Sequence, residues 1–151
     1  MNQDFLDLLS ALLEAGASFM VVGAHAMAVH GVPRATGDLD IWIGPGPENA
    51  DRVWQSLVAF GAPMERLDLS RPDLEVPETV VQIGLPPRRI DLMTTLTGLD
   101  FETAWPNRNI QRVGSLEIPF LGREDLVLNK RATRRPKDLA DLDILERGQK
   151  E

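Results

Sequence analysis

The segment from Asp38 to Ile43 alternates acidic and apolar side chains, and this pattern constrains the fold more than any other. Its sequence is Asp-Leu-Asp-Ile-Trp-Ile. Side chains two positions apart on a strand point to the same face, whereas on a helix they diverge by about 200°. A strand therefore places the leucine and both isoleucines on one apolar face, and Asp38 and Asp40 together on the other. The apolar face must be buried, and the acidic face must meet solvent or a ligand.

The spacing of these two acids is not by itself evidence of a site. With 23 acidic residues among 151, chance gives roughly three or four pairs two positions apart. The chain contains three other such pairs, which are Asp73/Glu75, Asp100/Glu102 and Asp141/Asp143. Asp38/Asp40 is the pair that lies in a clear strand pattern. Two carboxylates on one face repel each other unless a cation lies between them, so the pair indicates a divalent-cation site. A solvated face of an edge strand is the alternative.

Predicted helices and strands alternate along the rest of the chain. Helices are predicted from the N-terminus to Gly16, from Ala24 to Val29, from Pro47 to Gly61, and over the last 30 residues with a break at Pro136. Strands are predicted at Ser18 to Val22, Thr79 to Leu85, Arg88 to Met93, Asn109 to Val113 and Leu116 to Phe120. The segment from Ala62 to Pro77 is expected to be irregular or to form a short helix, and it could border a pocket. We expect an α/β (α+β) fold with a small mixed sheet flanked by helices, in one domain over residues 1–151 with C-terminal helices from about 122.

The amino-acid composition excludes several kinds of site and disfavours several kinds of partner. The chain is 43% hydrophobic, enough for a buried core, and it lacks cysteine, which excludes disulfides, thiolate metal ligands and a cysteine nucleophile. The net charge of −7 disfavours extensive binding to a nucleic-acid backbone. Acidic residues interrupt the apolar N-terminal stretch, and no apolar run approaches the roughly 20 residues that span a bilayer. We therefore expect a soluble, cytoplasmic protein with no membrane partner.

A glycine between a strand and a helix precedes the acidic strand. Val22-Gly23-Ala24 is the junction, and such a turn can direct backbone N–H groups at a phosphate, although most of these junctions are plain connections. Thirteen residues, from His25 to Gly37, then lead to Asp38. This length allows a short helix and a return to an adjacent strand, which would bring the turn and the carboxylates to one cleft.

These residues resemble the DNA polymerase beta-type nucleotidyltransferase superfamily. The resemblance rests on Gly23-Ala24, the thirteen-residue gap, Asp38-Leu39-Asp40, and the third carboxylate supplied by Ile90-Asp91-Leu92. The tail, with Leu121 to Leu126 and Lys130 to Asp141, is similar to small bacterial nucleotidyltransferase-like proteins, including relatives of abortive-infection toxins. The resemblance spans Val21 to Asp143. Ala24 departs from the glycine or serine that is frequent at its position, so a serine hydroxyl for phosphate is missing.

The resemblance implies roles for the three acids. Asp38, Asp40 and Asp91 would be the catalytic residues and the ligands of Mg²⁺, or of Mn²⁺, and Asp91 would lie beside the acceptor hydroxyl. A strand carboxylate that simply pairs with Arg88 or Arg89 is the alternative for Asp91.

Six residues are candidates for binding a nucleoside triphosphate such as ATP. They are Gly23, Ala24, Arg34, Thr36, Lys130 and Arg134. Lys130 and Arg134 lie four apart on a predicted helix and are expected to share a face. Arg34 could equally be a surface-loop arginine, and Lys130 and Arg134 could instead pair with Glu124, Asp125 or Asp138.

The leading hypothesis is Mg²⁺-dependent transfer of a nucleotidyl group from a nucleoside triphosphate to a hydroxyl acceptor. Transfer RNA, a protein and a small molecule all fit as the acceptor. Two alternatives remain open: a non-catalytic nucleotide-binding module on the same fold, and an interaction protein such as one half of a toxin–antitoxin pair. The pattern leaves a homo-oligomer open as well.

Overall fold

A computed structural model describes residues 1–32 and 37–150, with side chains to residue 148. It contains six α-helices and six β-strands within those ranges. The helices are α1 Gln3–Glu14, α2 Gly23–Val29, α3 Pro47–Phe60, α4 Phe101–Ala104, α5 Arg123–Thr133 and α6 Pro136–Lys150. The strands are β1 Phe19–Val22, β2 Leu39–Ile43, β3 Val80–Ile83, β4 Ile90–Met93, β5 Asn109–Val113 and β6 Leu116–Phe120.

The strands form one mixed sheet in the order β3-β4-β2-β1-β6-β5. The β1–β2, β3–β4 and β5–β6 pairs are antiparallel, whereas β2 is parallel to β4 and β1 is parallel to β6. Non-local parallel pairing therefore brings β4 beside β2, although about 50 residues separate them along the chain.

The two faces of β2 are buried to different degrees. Leu39, Ile41 and Ile43 are almost fully buried on the apolar face. On the other face Trp42 is also buried and packs edge-on against Phe101, with ring centroids 5.0 Å apart. Asp40 is only partly buried. The acidic face is therefore closed at the Trp42 end and open at Asp40.

The helix and strand boundaries agree closely with the sequence expectations. Gly61 ends α3 in the left-handed conformation, and the β5–β6 hairpin has its predicted bounds. The mixed sheet flanked by helices is confirmed. The segment from Ala62 to Pro77 contains one short 3₁₀ helix, Arg71–Glu75, which packs against α3. Asp38 differs slightly from expectation, because it lies in a bend immediately before β2 and not within the strand.

None of the described helices combines the length and the apolar character that a membrane crossing requires.

Two neighbouring residues of α3 provide a test of the core. Leu57 has no exposed surface, whereas Val58 is 58% exposed. We expect Leu57→Ala to lower the free energy of unfolding by about 2–5 kcal/mol, because it removes buried methyl groups and leaves a cavity. Val58→Ala should change it by less than about 0.5 kcal/mol. Urea denaturation monitored by circular dichroism measures both values, and equal losses would contradict this packing.

Candidate functional site

The sheet register brings Asp40 and Asp91 together. β2 and β4 are parallel neighbours, and Asp40 is the direct partner of Asp91. Directly opposite residues on paired strands project from the same face of a sheet. Asp38 lies immediately before β2, and Arg89 links it to Asp91. The three predicted acids therefore come from two strand beginnings and lie in one cluster.

Gly23 lies against the carboxylate of Asp40 in a conformation that favours glycine. A Cβ atom placed on Gly23 would collide with Asp40 Oδ2 unless that carboxylate moved, and the φ angle of Gly23 is +68°. Both observations favour glycine, because another residue would displace the carboxylate and would be strained. The structure thus gives a reason for Gly23 other than phosphate binding. The predicted phosphate contacts of Gly23 and Ala24 stay a prediction, and α2 is only seven residues long.

The environment of Asp40 disfavours its ionised form. Burial is the largest cause, followed by the negative charges of Asp91 and Asp38, and together they raise the pKa of Asp40 from 3.8 to about 6. A hydrogen bond between the protonated form of Asp40 and Asp91 acts in the same direction. The negative charges of the cluster are therefore incompletely neutralised at Asp40.

Arg89 supplies the positive charge next to the other two acids. Its Nε donates to Asp91 Oδ1 at 2.8 Å, and its Nη2 donates to Asp91 Oδ2 at 3.2 Å. The same Nη2 lies 3.4 Å from Asp38 Oδ2, and the backbone N–H of Arg89 donates to Asp38 Oδ1 at 3.0 Å. Asp91 thus has the arginine partner that the sequence analysis gave as its alternative role. One guanidinium faces three carboxylates.

The donors in the cluster suit a hard divalent cation. Carboxylate oxygens are the ligands that Mg²⁺ takes from proteins, typically one or two of them together with substrate phosphates. Within residues 1–32 and 37–150, no group of three or more histidine, aspartate or glutamate side chains is arranged to hold an ion. Asp40 and Asp91 supply the two carboxylates that a Mg²⁺ site typically uses. The raised pKa of Asp40 indicates that a cation beside it would be stabilised. The assignment of Asp38, Asp40 and Asp91 as metal ligands stays a prediction.

A cleft of about 590 Å³ opens beside the cluster. Gly23 and Asp40 line it, and so do Thr133 and Arg135. The loop after β4, from Thr95 to Thr97, also contributes to the lining. Ligand sites in proteins commonly have volumes of roughly 300–1,000 Å³, so this cleft is large enough for a nucleotide-sized molecule.

Lys130 lies within α5, whereas Arg134 caps the end of that helix, so the two residues are not both inside one helix as expected. α5 ends at Thr133, and Arg134 follows in the left-handed conformation with φ of +50°. Lys130 is 7% exposed, and its Nζ lies 3.2 Å from Asp138 Oδ1 and 3.3 Å from Asp141 Oδ2. A helix pattern cannot show that the helix stops one residue early or that its lysine is buried. The proposed phosphate contacts of both residues remain untested.

Arg34 and Thr36 lie outside the described residues. Sequence reasoning did not single out the cleft-lining residues Thr133 and Arg135. In the sequence, Arg135 is one of several basic residues that precede Pro136. That proline is the one sign in the sequence that the chain turns there. Their place in the cleft follows from how α5 and α6 pack.

Searches with the sequence find no matching family model and no matching curated protein. Solved structures do match. One is the lincosamide antibiotic adenylyltransferase LnuA in its lincomycin-bound form, with a TM-score of 0.61 and 14% identity, over 97% of this chain and 96% of that one. Another is a Thermotoga maritima protein to which nucleotidyltransferase activity is ascribed, with a TM-score of 0.53 and 15% identity, over 99% and 93% of the two chains. The chain therefore has a nucleotidyltransferase-like fold.

The close approach at Gly23 can be tested against a second glycine. Gly16 has a similar φ of +71°, but a Cβ there would meet nothing within 4 Å. We expect Gly16→Ala to lose about 1–2 kcal/mol of unfolding free energy from backbone strain alone. Gly23→Ala should lose more, because it also displaces the Asp40 carboxylate. Denaturant unfolding of the two variants measures the difference, and equal losses would mean that the Asp40 contact does not matter.

The raised pKa of Asp40 predicts a pH-dependent loss of stability in metal-free buffer. The folded protein holds this proton up to about pH 6, whereas the unfolded chain releases it near 3.8. Stability should therefore fall as pH rises through that window. Asp40→Asn should remove the fall and make the protein more stable than the wild type above pH 6. Urea titrations from pH 4 to 7.5 test this, with the exposed Asp143→Asn as the control.

Proposed function

We propose that this protein transfers a nucleotidyl group from a nucleoside triphosphate to a hydroxyl acceptor in a reaction that depends on Mg²⁺. The observation that carries the proposal is the direct pairing of Asp40 with Asp91 at the edge of a nucleotide-sized cleft. Similarity to the LnuA fold supports it. The acidic pair would otherwise be an unfavourable arrangement, because burial and mutual repulsion disfavour its charge.

The three acids share the tasks of this reaction. Asp38, Asp40 and Asp91 would hold the ion, and Asp91 would also take the proton from the acceptor hydroxyl as its oxygen attacks the α-phosphorus. The bond between the α-phosphorus and the bridging oxygen breaks, and pyrophosphate leaves. A divalent cation held there would supply charge neutralisation for the phosphates and would make the hydroxyl more acidic. Gly23 permits this placement of Asp40 because it lacks a side chain.

Arg89 and the ion would share two carboxylates. The guanidinium of Arg89 contacts Asp38 and Asp91, so it competes with an ion for their oxygen atoms. The same contacts favour a second candidate function, a nucleotide-binding module without catalysis. In that case Arg89 would permanently replace the cation, and a triphosphate would bind without turnover.

The transfer assay uses each α-labelled nucleoside triphosphate with Mg²⁺, and transfer RNA, a protein extract and hydroxylated small molecules as acceptors. A lincosamide is a rational first small molecule, because the LnuA structure contains lincomycin. We expect pyrophosphate release with label transfer to one acceptor, and loss of both with a chelator.

Asp40→Asn and Asp91→Asn should each lower the rate at least about tenfold, because a lost ligand costs no less than a lost supporting contact. Asp143→Asn, on an exposed part of α6, is the matched carboxylate control and should keep full activity. Equal rates for the wild type and Asp40→Asn would refute the proposal. Tight binding of a triphosphate with no transfer to any acceptor would favour the non-catalytic module.

A further inference from the structure

Residues from the junction of α5 and α6 line the cleft together with residues of the sheet. Ala132, Thr133 and Arg135 line it, as do Gly23 and Asp40. The Arg135 side chain is 55% exposed, so it is not enclosed by protein. The cleft is therefore lined by a cation as well as by a member of the acidic cluster.

Asp138 fixes the position of this cation. Its carboxylate is fully buried, and it accepts from Arg135 Nε at 2.7 Å, from Arg135 Nη2 at 3.1 Å and from the Arg135 backbone N–H at 3.0 Å. Thr133 Oγ1 donates to the same carboxylate at 2.6 Å, and Lys130 Nζ donates at 3.2 Å. A bidentate contact between a guanidinium and a carboxylate fixes the plane of the guanidinium as well as its place. Arg135 is thus held in one orientation before any ligand arrives.

Lys130 shares the Asp138 carboxylate with Arg135. Lys130 is buried between Asp138 and Asp141, and its ammonium group lies within ion-pair distance of both carboxylates. Arg135 is the exposed member of this cluster. Its Nη1 has no hydrogen-bond partner within the part of the chain that the structure describes. Two N–H bonds of an oriented guanidinium are therefore available in the cleft.

We propose that Arg135 binds the phosphate chain of the triphosphate and that Asp138 is its positioning residue. The inference rests on the proposed function and names a contact that the sequence alone had assigned to Lys130 and Arg134. It places the triphosphate between the carboxylate cluster on β2 and β4 and the cation on the junction of α5 and α6. Arginine suits this task because its planar group donates two hydrogen bonds to phosphate oxygens at once.

The test measures equilibrium binding, and Arg131 provides a matched control. Arg131 is 56% exposed on α5 and pairs with Glu146, away from the cleft lining. Calorimetry with Mg²⁺ compares three probes: the α,β-methylene analogue of ATP, inorganic tripolyphosphate, and adenosine. We expect Arg135→Gln to weaken binding of both phosphate probes by at least about tenfold, as the loss of a charge-assisted hydrogen bond predicts. Adenosine binding should be unchanged, and Arg131→Gln should match the wild type with every probe.

A double-mutant cycle tests the role of Asp138. Asp138→Asn should weaken tripolyphosphate binding by a smaller factor, and it should have no further effect once Arg135 is replaced by glutamine. Arg135→Lys should restore only part of the affinity, because lysine cannot donate in the same bidentate manner. Circular dichroism shows whether Asp138→Asn folds, and the Arg135 variants test the main contact whether it folds or not.

The outcomes separate this inference from the proposed function. Phosphate binding by Arg135→Gln within twofold of Arg131→Gln, in a wild type that binds the probes, would overturn the role of Arg135 alone. A wild type that neither binds the phosphate probes nor transfers label from any triphosphate would overturn the proposed function, and this inference with it.

Discussion

Repulsion between carboxylates on neighbouring parallel strands is the interaction on which this site depends. The register of β2 and β4 places Asp40 beside Asp91, and a fold that holds both there must offset their charge. Arg89 does so for Asp91 and Asp38, but Asp40 keeps a raised pKa. Negative charge in the cluster is therefore least neutralised at Asp40, beside the cleft, where a cation and a phosphate chain can enter.

The surroundings of Asp40 show how the fold tolerates this cost. Because Gly23 has no side chain, the carboxylate can lie against the backbone at the end of β1. Trp42, two residues along the same face, is buried against Phe101 and closes the site on that side. The extensive core on the opposite face stabilises the sheet. A marginally stable protein can therefore remain folded despite the unfavourable environment of one carboxylate.

Side chains of both charges lie at the cleft, and these side chains come from distant parts of the chain. Acidic residues lie at the starts of β2 and β4, and Arg135 lies at the junction between the last two helices. Ion pairs from Lys130 and Arg135 to the buried Asp138 hold that junction. This arrangement suits a metal-bound polyanion, because such a ligand carries both positive and negative charge.

The sequence by itself determined the fold class and most element boundaries, and it is the basis on which the three acids are predicted as a site. It could do so because alternation along a strand, glycine after a strand and proline at a helix start are local constraints on the backbone. Only the tertiary structure decided which partners those residues have. Arg89 turned towards Asp38 and Asp91, Lys130 became buried, and Arg135 reached the cleft because strand register and helix packing join residues far apart in sequence. No local pattern carries that information.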